Sequence, residues 1–292
     1  MDCLQVLDRP WEVVAPSQQT LPLVLASPHS GRSYPPEFVA ASRLDFPSLR
    51  KSEDSFVDEI FATAPAHGAP LLRAFFPRAF VDANREPFEL DPQMFEDGLP
   101  DYVNTASPRV AAGLGTIARV VANGQNIYKA KLTASEGLRR IERLYRPYHA
   151  ALRRLIERTR ARFGYCLLVD CHSMPSIGVP SDLDAGRTRV DFVLGDCFGA
   201  ACDPVITAAA EGALKEMGYV VACNTPYAGG FTTRHYGRPV AGIHALQVEV
   251  NRALYMNEAS FERKPQISEL ADRMGDLVAL LGGIGATAVA TP

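Results

Sequence analysis

No apolar run in this 292-residue chain is long enough to cross a bilayer. The most promising stretch, from Leu277 onward, is uncharged but broken by Gly282, Gly283 and Gly285, and it falls short of the ~20 residues a span requires. Cysteine is sparse: there are six, and no two form a CxxC pair, so neither a disulfide framework nor a cysteine-built zinc cluster is indicated. Scattered thiols suit a reducing compartment, and the cytoplasm is the expected location. Asp2 and Glu12 stand where a basic-then-apolar leader would begin. Positive charge is not in excess either. Lys plus Arg number 30 against 33 Asp plus Glu, a formal net charge of -3, which argues against nucleic acid as a partner. Internal repeats and low-complexity linkers are missing too, so residues 1–292 read as one domain, working as a monomer or small homo-oligomer.

What remains is an ordinary globular composition, 47% hydrophobic and 22% charged, with apolar runs alternating with helical patterns. Residues 21–27, 71–76, 79–82, 166–169, 190–195, 219–223 and 243–251 read as strands, and 113–121 as a β-like run. Helical spacing covers 54–64, 203–217 and 267–281. The longest helix starts at Thr133, whose spacing from Glu136 is that of a capping box; Pro147 is its expected kink and Gly164 its end. A long helix leading directly into the strand at 166 is a crossover unit, the mark of an α/β fold with a largely parallel sheet. Residues 224–239, with two glycines at 229 and 230, read as a binding loop or lid.

Chemistry gathers at strand ends, where open α/β sheets bind ligands. His172 follows the run Cys166–Val169 and His29 follows Leu21–Ser27. Glu249 sits inside a strand whose Gln247, Glu249 and Asn251 face one way while Leu246, Val248 and Val250 face the other. Two neutral imidazoles and a carboxylate are what a catalytic zinc takes, with an open position for water. Arg32, three residues after His29, cannot ligate; Asp54 and Glu53 are the carboxylates considered downstream, and Asp54 is preferred because it opens a helix. The same position fits a helix N-cap. Other divalent metals accept the same ligands. Asn84 and Arg85 follow the run 79–82, and a planar guanidinium there suits a substrate carboxylate. Arg234 is a second carboxylate binder, and Arg119 a cation for a developing oxyanion. His67, His149 and His244 read as ordinary hydrogen-bonding histidines. Cys171 beside His172 offers a thiol-hydrolase alternative, weakened because adjacent strand residues face opposite ways.

Several blocks carry a family resemblance: PHSG, SEDSFVDEIF, FVDANREPFELDP, GTIARVVANGQNIY, VDCHSMPS and QVEVNRALYMNE. In this order, from about Ala26 to Asn257, they resemble the N-formylglutamate amidohydrolase family. VDANREP is also similar to the VDLNRNF block of zinc carboxypeptidases, which share the order His, Asn-Arg, His, Glu. The resemblance implies a three-layer α/β/α fold of the phosphorylase/hydrolase type, akin to zinc exopeptidases. It implies a metal-dependent deformylase of an N-acylated acidic amino acid, in the setting of histidine breakdown. By that match His29 and His172 bind zinc, Asn84 and Arg85 a substrate carboxylate, and Glu249 serves as the base that activates water. The alternatives are a zinc amidase or carboxypeptidase-like hydrolase of another acyl amino acid or peptide, and a carboxylate-binding homologue without catalysis.

Overall fold

The computed structural model describes residues 9–121, 124–180, 182 and 184–284. Asp2, Gly285 and the step Ala122–Asn123 lie outside them. Among the described residues the strands of the main sheet are β1 (Trp11–Val14), β2 (Leu23–Ser27), β3 (Leu71–Ala74), β4 (Cys166–Met174), β5 (Phe192–Gly195), β6 (Val221–Cys223) and β7 (Ile243–Asn251). The helices are α1 (Pro36–Ala41), α2 (Phe46–Arg50), α3 (Val57–Ile60), α4 (Pro108–Ala111), α5 (Ala134–Arg140), α6 (Arg146–Phe163), α7 (Pro204–Glu216), α8 (Phe231–Tyr236) and α9 (Ile267–Gly282). None of them is long and apolar enough to cross a membrane. The described residues pack into two compact units, one drawn from 9–12, 28–54 and 74–151, the other from 13–27, 55–73 and 152–284.

The second unit holds the central strands of a seven-stranded sheet with order β1-β3-β2-β4-β7-β5-β6. β2 pairs in parallel with β3 and β4, β4 with β7, and β5 with β6; β5 runs antiparallel to β7. The mixed, mostly parallel α/β sheet is therefore as expected. Every residue of β4 is buried, the condition of a strand covered on both faces. Leu167, Val169 and Cys171 of β4 join Leu246, Val248 and Val250 of β7 in one apolar cluster, packed with Phe56, Val57 and Ile60 and with buried residues of α7 and α9. On the opposite face Thr159 of α6 meets the Cys166 thiol, and Thr233 of α8 reaches Asp170. Helices thus cover both faces. Asp170 and His172 share that second face, since a strand repeats every two residues.

In the first unit little is regular. The Ala79–Asp82 strand does not form: the amides of Phe80 and Val81 donate to Pro77 O, and that of Asp82 to Thr116 O. Its apolar residues are buried by packing instead, Phe80 against Phe38 with centroids 5.0 Å apart and Arg140 over its ring at 4.0 Å. The run 113–121 is likewise a loop, with one bridge between Val120 and Asn126. The long helix is split: α5 passes through a π turn, Ile141–Tyr145, before α6 begins, so the distortion comes just before Pro147. In the second unit the helix expected from 54 to 64 shrinks to α3, because Phe56 adopts a left-handed φ of 68° at its N-cap. The expected loop 224–239 contains α8.

Candidate functional site

Ser27 ends β2 in the second unit, and in the first the chain turns through Pro28–Gly31. Gly31 is required for this turn: a Cβ there would stand 2.1 Å from Phe76 O. The turn leaves His29 buried, with its carbonyl accepting the Asp54 amide at 3.0 Å. His29 Nε2 meets Asp82 Oδ1 at 2.7 Å, and Nδ1 faces Asp54 Oδ2 at 3.4 Å. A carboxylate only accepts, so Asp82 fixes the ring proton on Nε2 and leaves the Nδ1 lone pair facing Asp54. Asp54 is not a helix cap, as its position before Val57 had allowed; Phe56 holds that place without a side-chain bond. Glu53, the alternative ligand, is occupied elsewhere: Arg50 Nε and Nη2 donate to its two oxygens at 2.9 and 3.0 Å.

Asp82 is the hub of this unit, and sequence reasoning passed over it. Besides His29, its Oδ1 accepts the Asn84 amide at 2.8 Å, and its Oδ2 accepts Arg78 Nε and Nη2 at 3.1 and 3.0 Å. Arg85 Nη2 lies 3.5 Å from the same oxygen. Burial works to raise the carboxyl's pKa, but Arg78, Arg85 and His29 outweigh it and hold the group well below the usual carboxylate range. Arg85 is buried, its pKa pushed down to about 10 chiefly by loss of water. Its Nε donates to Leu114 O and its Nη1 to Asn84 O. Tyr145 OH donates to Arg85 O at 2.7 Å and His149 Nε2 lies 2.8 Å from Ala83 O, so two side chains anchor the backbone either side of Asn84. His149 is thus the structural hydrogen-bonder it was expected to be. Arg119 Nε donates to Asp91 at 2.7 Å and Nη1 to Asn126 at 3.2 Å.

The second unit carries His172 and Glu249 on adjacent parallel strands, in register with each other, as Asp170 is with Gln247. His172 Nε2 lies 2.9 Å from Asp170 Oδ1. Thr233 Oγ1 donates to Asp170 Oδ2 at 3.3 Å. Gln247 Nε2 donates to Glu249 Oε1 at 2.8 Å, while Gln247 Oε1 accepts the Gly230 amide at 2.6 Å. Burial, and after it the Glu249 charge, raise the pKa of Tyr227 far above the ordinary phenol. Its hydroxyl donates to Asp182, and Arg189 stacks on its ring at 5.0 Å. Arg234 is exposed on α8. Cys171 points into the apolar cluster, and burial, with Asp170, raises its thiol pKa well above normal. Both observations weigh against a thiolate nucleophile there. Asp170 and Gln247 had a sequence signal, period-two spacing from His172 and Glu249; Thr233 and Tyr227 had none.

The family model described as N-formylglutamate amidohydrolase matches residues 21–256. The N-formylglutamate deformylase of Pseudomonas putida is 32% identical over 250 residues, covering 85% of this chain and 86% of that protein. Its counterpart from Pseudomonas aeruginosa is 32% identical over 262 residues, 88% and 91% of the two chains. The crystal structure of N-formylglutamate amidohydrolase from Ralstonia eutropha JMP134 superposes with a TM-score of 0.86 at 37% identity, covering 94% of this chain and 97% of that one.

Proposed function

Because this chain belongs to the N-formylglutamate amidohydrolase family, we propose that it is a metal-dependent deformylase that hydrolyses N-formyl-L-glutamate to formate and glutamate. One observation carries the metal: His29 Nε2 is claimed by the buried Asp82, the arrangement in which a carboxylate orients a histidine ligand, and His172 Nε2 lies 2.9 Å from the buried Asp170. His29 and Asp54 in the first unit and His172 in the second are the residue types a catalytic zinc takes as three protein ligands, with an open position for water. When bound, the metal would polarise the formyl carbonyl and bring the pKa of a water toward about 7.

The remaining work falls to the chain's own side chains. Glu249 takes the proton from the attacking water and returns it to the leaving amine, as general base and then acid. Asn84 and Arg85 receive one carboxylate of the glutamate, and Arg234 a second, through charge-assisted hydrogen bonds. Arg119, oriented by Asp91, is assigned to the formyl oxygen as negative charge builds on it. The products place this reaction after one that makes an N-formyl amino acid.

The test is metal content together with formylglutamate hydrolysis, before and after chelation. Stoichiometric zinc, activity lost on chelation and restored by zinc are expected; full activity in metal-free protein would overturn the proposal. Glu249→Gln should retain the metal and lose about 10²-fold or more in turnover.

A further inference from the structure

The geometry points to Gln247 as the positioning residue of Glu249, an inference that rests on the base role proposed above. Gln247 stands two residues before Glu249 on β7, so both side chains leave the sheet on the same face. Its amide nitrogen donates to Glu249 Oε1 at 2.8 Å, and its carbonyl accepts the Gly230 amide at 2.6 Å. Both side chains are buried, Gln247 to 4% exposure and Glu249 to 7%.

A primary amide is suited to this place because it donates and accepts at once. The acceptor end is spent on Gly230, which fixes the amide's orientation and leaves its N–H₂ facing the carboxylate. Gly230 is itself the N-cap of α8, the helix whose Thr233 reaches Asp170. Glu249 Oε1 is therefore tied through the Gln247 amide to a backbone point at the start of α8. A general base must sit within hydrogen-bond reach of the proton it takes, and an unanchored carboxylate would spend part of its time in other rotamers.

Gln247→Leu removes both bonds, whereas Gln247→Glu keeps the acceptor for Gly230 and loses the donor. Each is made in the native chain and in a Glu249→Ala background, measuring kcat, KM, metal content and thermal midpoint. The inference expects kcat to fall about 10- to 100-fold in the native background, with KM within threefold and the metal retained. In the Glu249→Ala background the same changes should move kcat less than twofold, because residues acting as a unit are not additive. Equal losses in both backgrounds, or kcat within twofold of native for Gln247→Glu, would overturn it. If Gln247→Leu loses its metal or fold, Gln247→Glu decides alone. Near-native turnover in Glu249→Ala itself would instead remove the base role on which the inference stands.

Discussion

Around His172 one strand is enough. Asp170 comes two residues earlier on the same buried β4, and the pleat alone puts it 2.9 Å from the ring. Around His29 the same arrangement is assembled from 53 residues away, by Asp82 in a segment without ladder bonds. That carboxylate also takes Arg78, Arg85 and the Asn84 amide. Each histidine has Nε2 beside a buried carboxylate, but one environment is local and lightly charged while the other is a dense ionic hub. Mutations of the two aspartates should therefore cost different amounts.

The largest effect belongs to the hub. Asp82→Asn leaves two guanidiniums beside a neutral amide in a buried place, and breaking a buried ionic group of this kind costs about 3–5 kcal/mol. Asp170→Asn, with no arginine on its carboxylate among the contacts described, should cost about 1–3 kcal/mol. Denaturant melts of the two variants check this, and equal losses would erase the contrast. Acid sharpens it further. Asp82 has a depressed folded pKa, so the unfolded chain binds the proton first. Its contribution is complete above the unfolded carboxyl's pKa of about 3.9 and is lost as pH falls below that. Asp82→Asn should flatten the stability curve below about pH 4.

Next comes the clamp that shares the hub. Arg85→Ala removes a charged hydrogen-bonder of about 1.5–3 kcal/mol, which should raise KM for formylglutamate about 10- to 100-fold and leave a neutral formyl amino acid little affected. An equal loss on both substrates would make Arg85 a structural residue only. Gly31→Ala probes the turn that presents His29. With Phe76 O only 2.1 Å from the added Cβ, the backbone must move, at a cost of about 1–3 kcal/mol. Metal content should fall with it. Unchanged stability and metal content would mean the turn relaxes freely.

The same contrast explains what the sequence disclosed. β2, β4 and β7 are buried, so each appears as an apolar run, with Asp170 and His172 on β4 and Gln247, Glu249 and Asn251 on β7 spaced by two, and His172, Glu249 and the mixed parallel sheet could be read from it. Residues 79–82 are equally apolar, yet they are buried by contact with Phe38 and Arg140 rather than by pairing. Composition does not separate those two routes to burial. Asp82 therefore reads as the last residue of an expected strand, and its bond to His29 is out of reach of any local pattern. Glu53 and Asp54 differ for a similar reason: only the Arg50 pair, formed by the turn after α2, takes Glu53 out of consideration.

The smallest expected effect tests how local the His172 arrangement is. Thr233→Val keeps shape but removes the Oγ1 donor that meets Asp170 Oδ2 at 3.3 Å, a long hydrogen bond worth about 1 kcal/mol or less. If the pleat of β4 alone orients Asp170, metal affinity should weaken less than tenfold, measured by competition with a chelator. Asp170→Asn, which removes the charge on the histidine, should weaken it by about 10- to 100-fold. Should Thr233→Val weaken binding as much as Asp170→Asn, the aspartate would depend on α8 for its aim. The His172 side would then be a tertiary construction like that of His29, and the difference between the two would lie in charge alone.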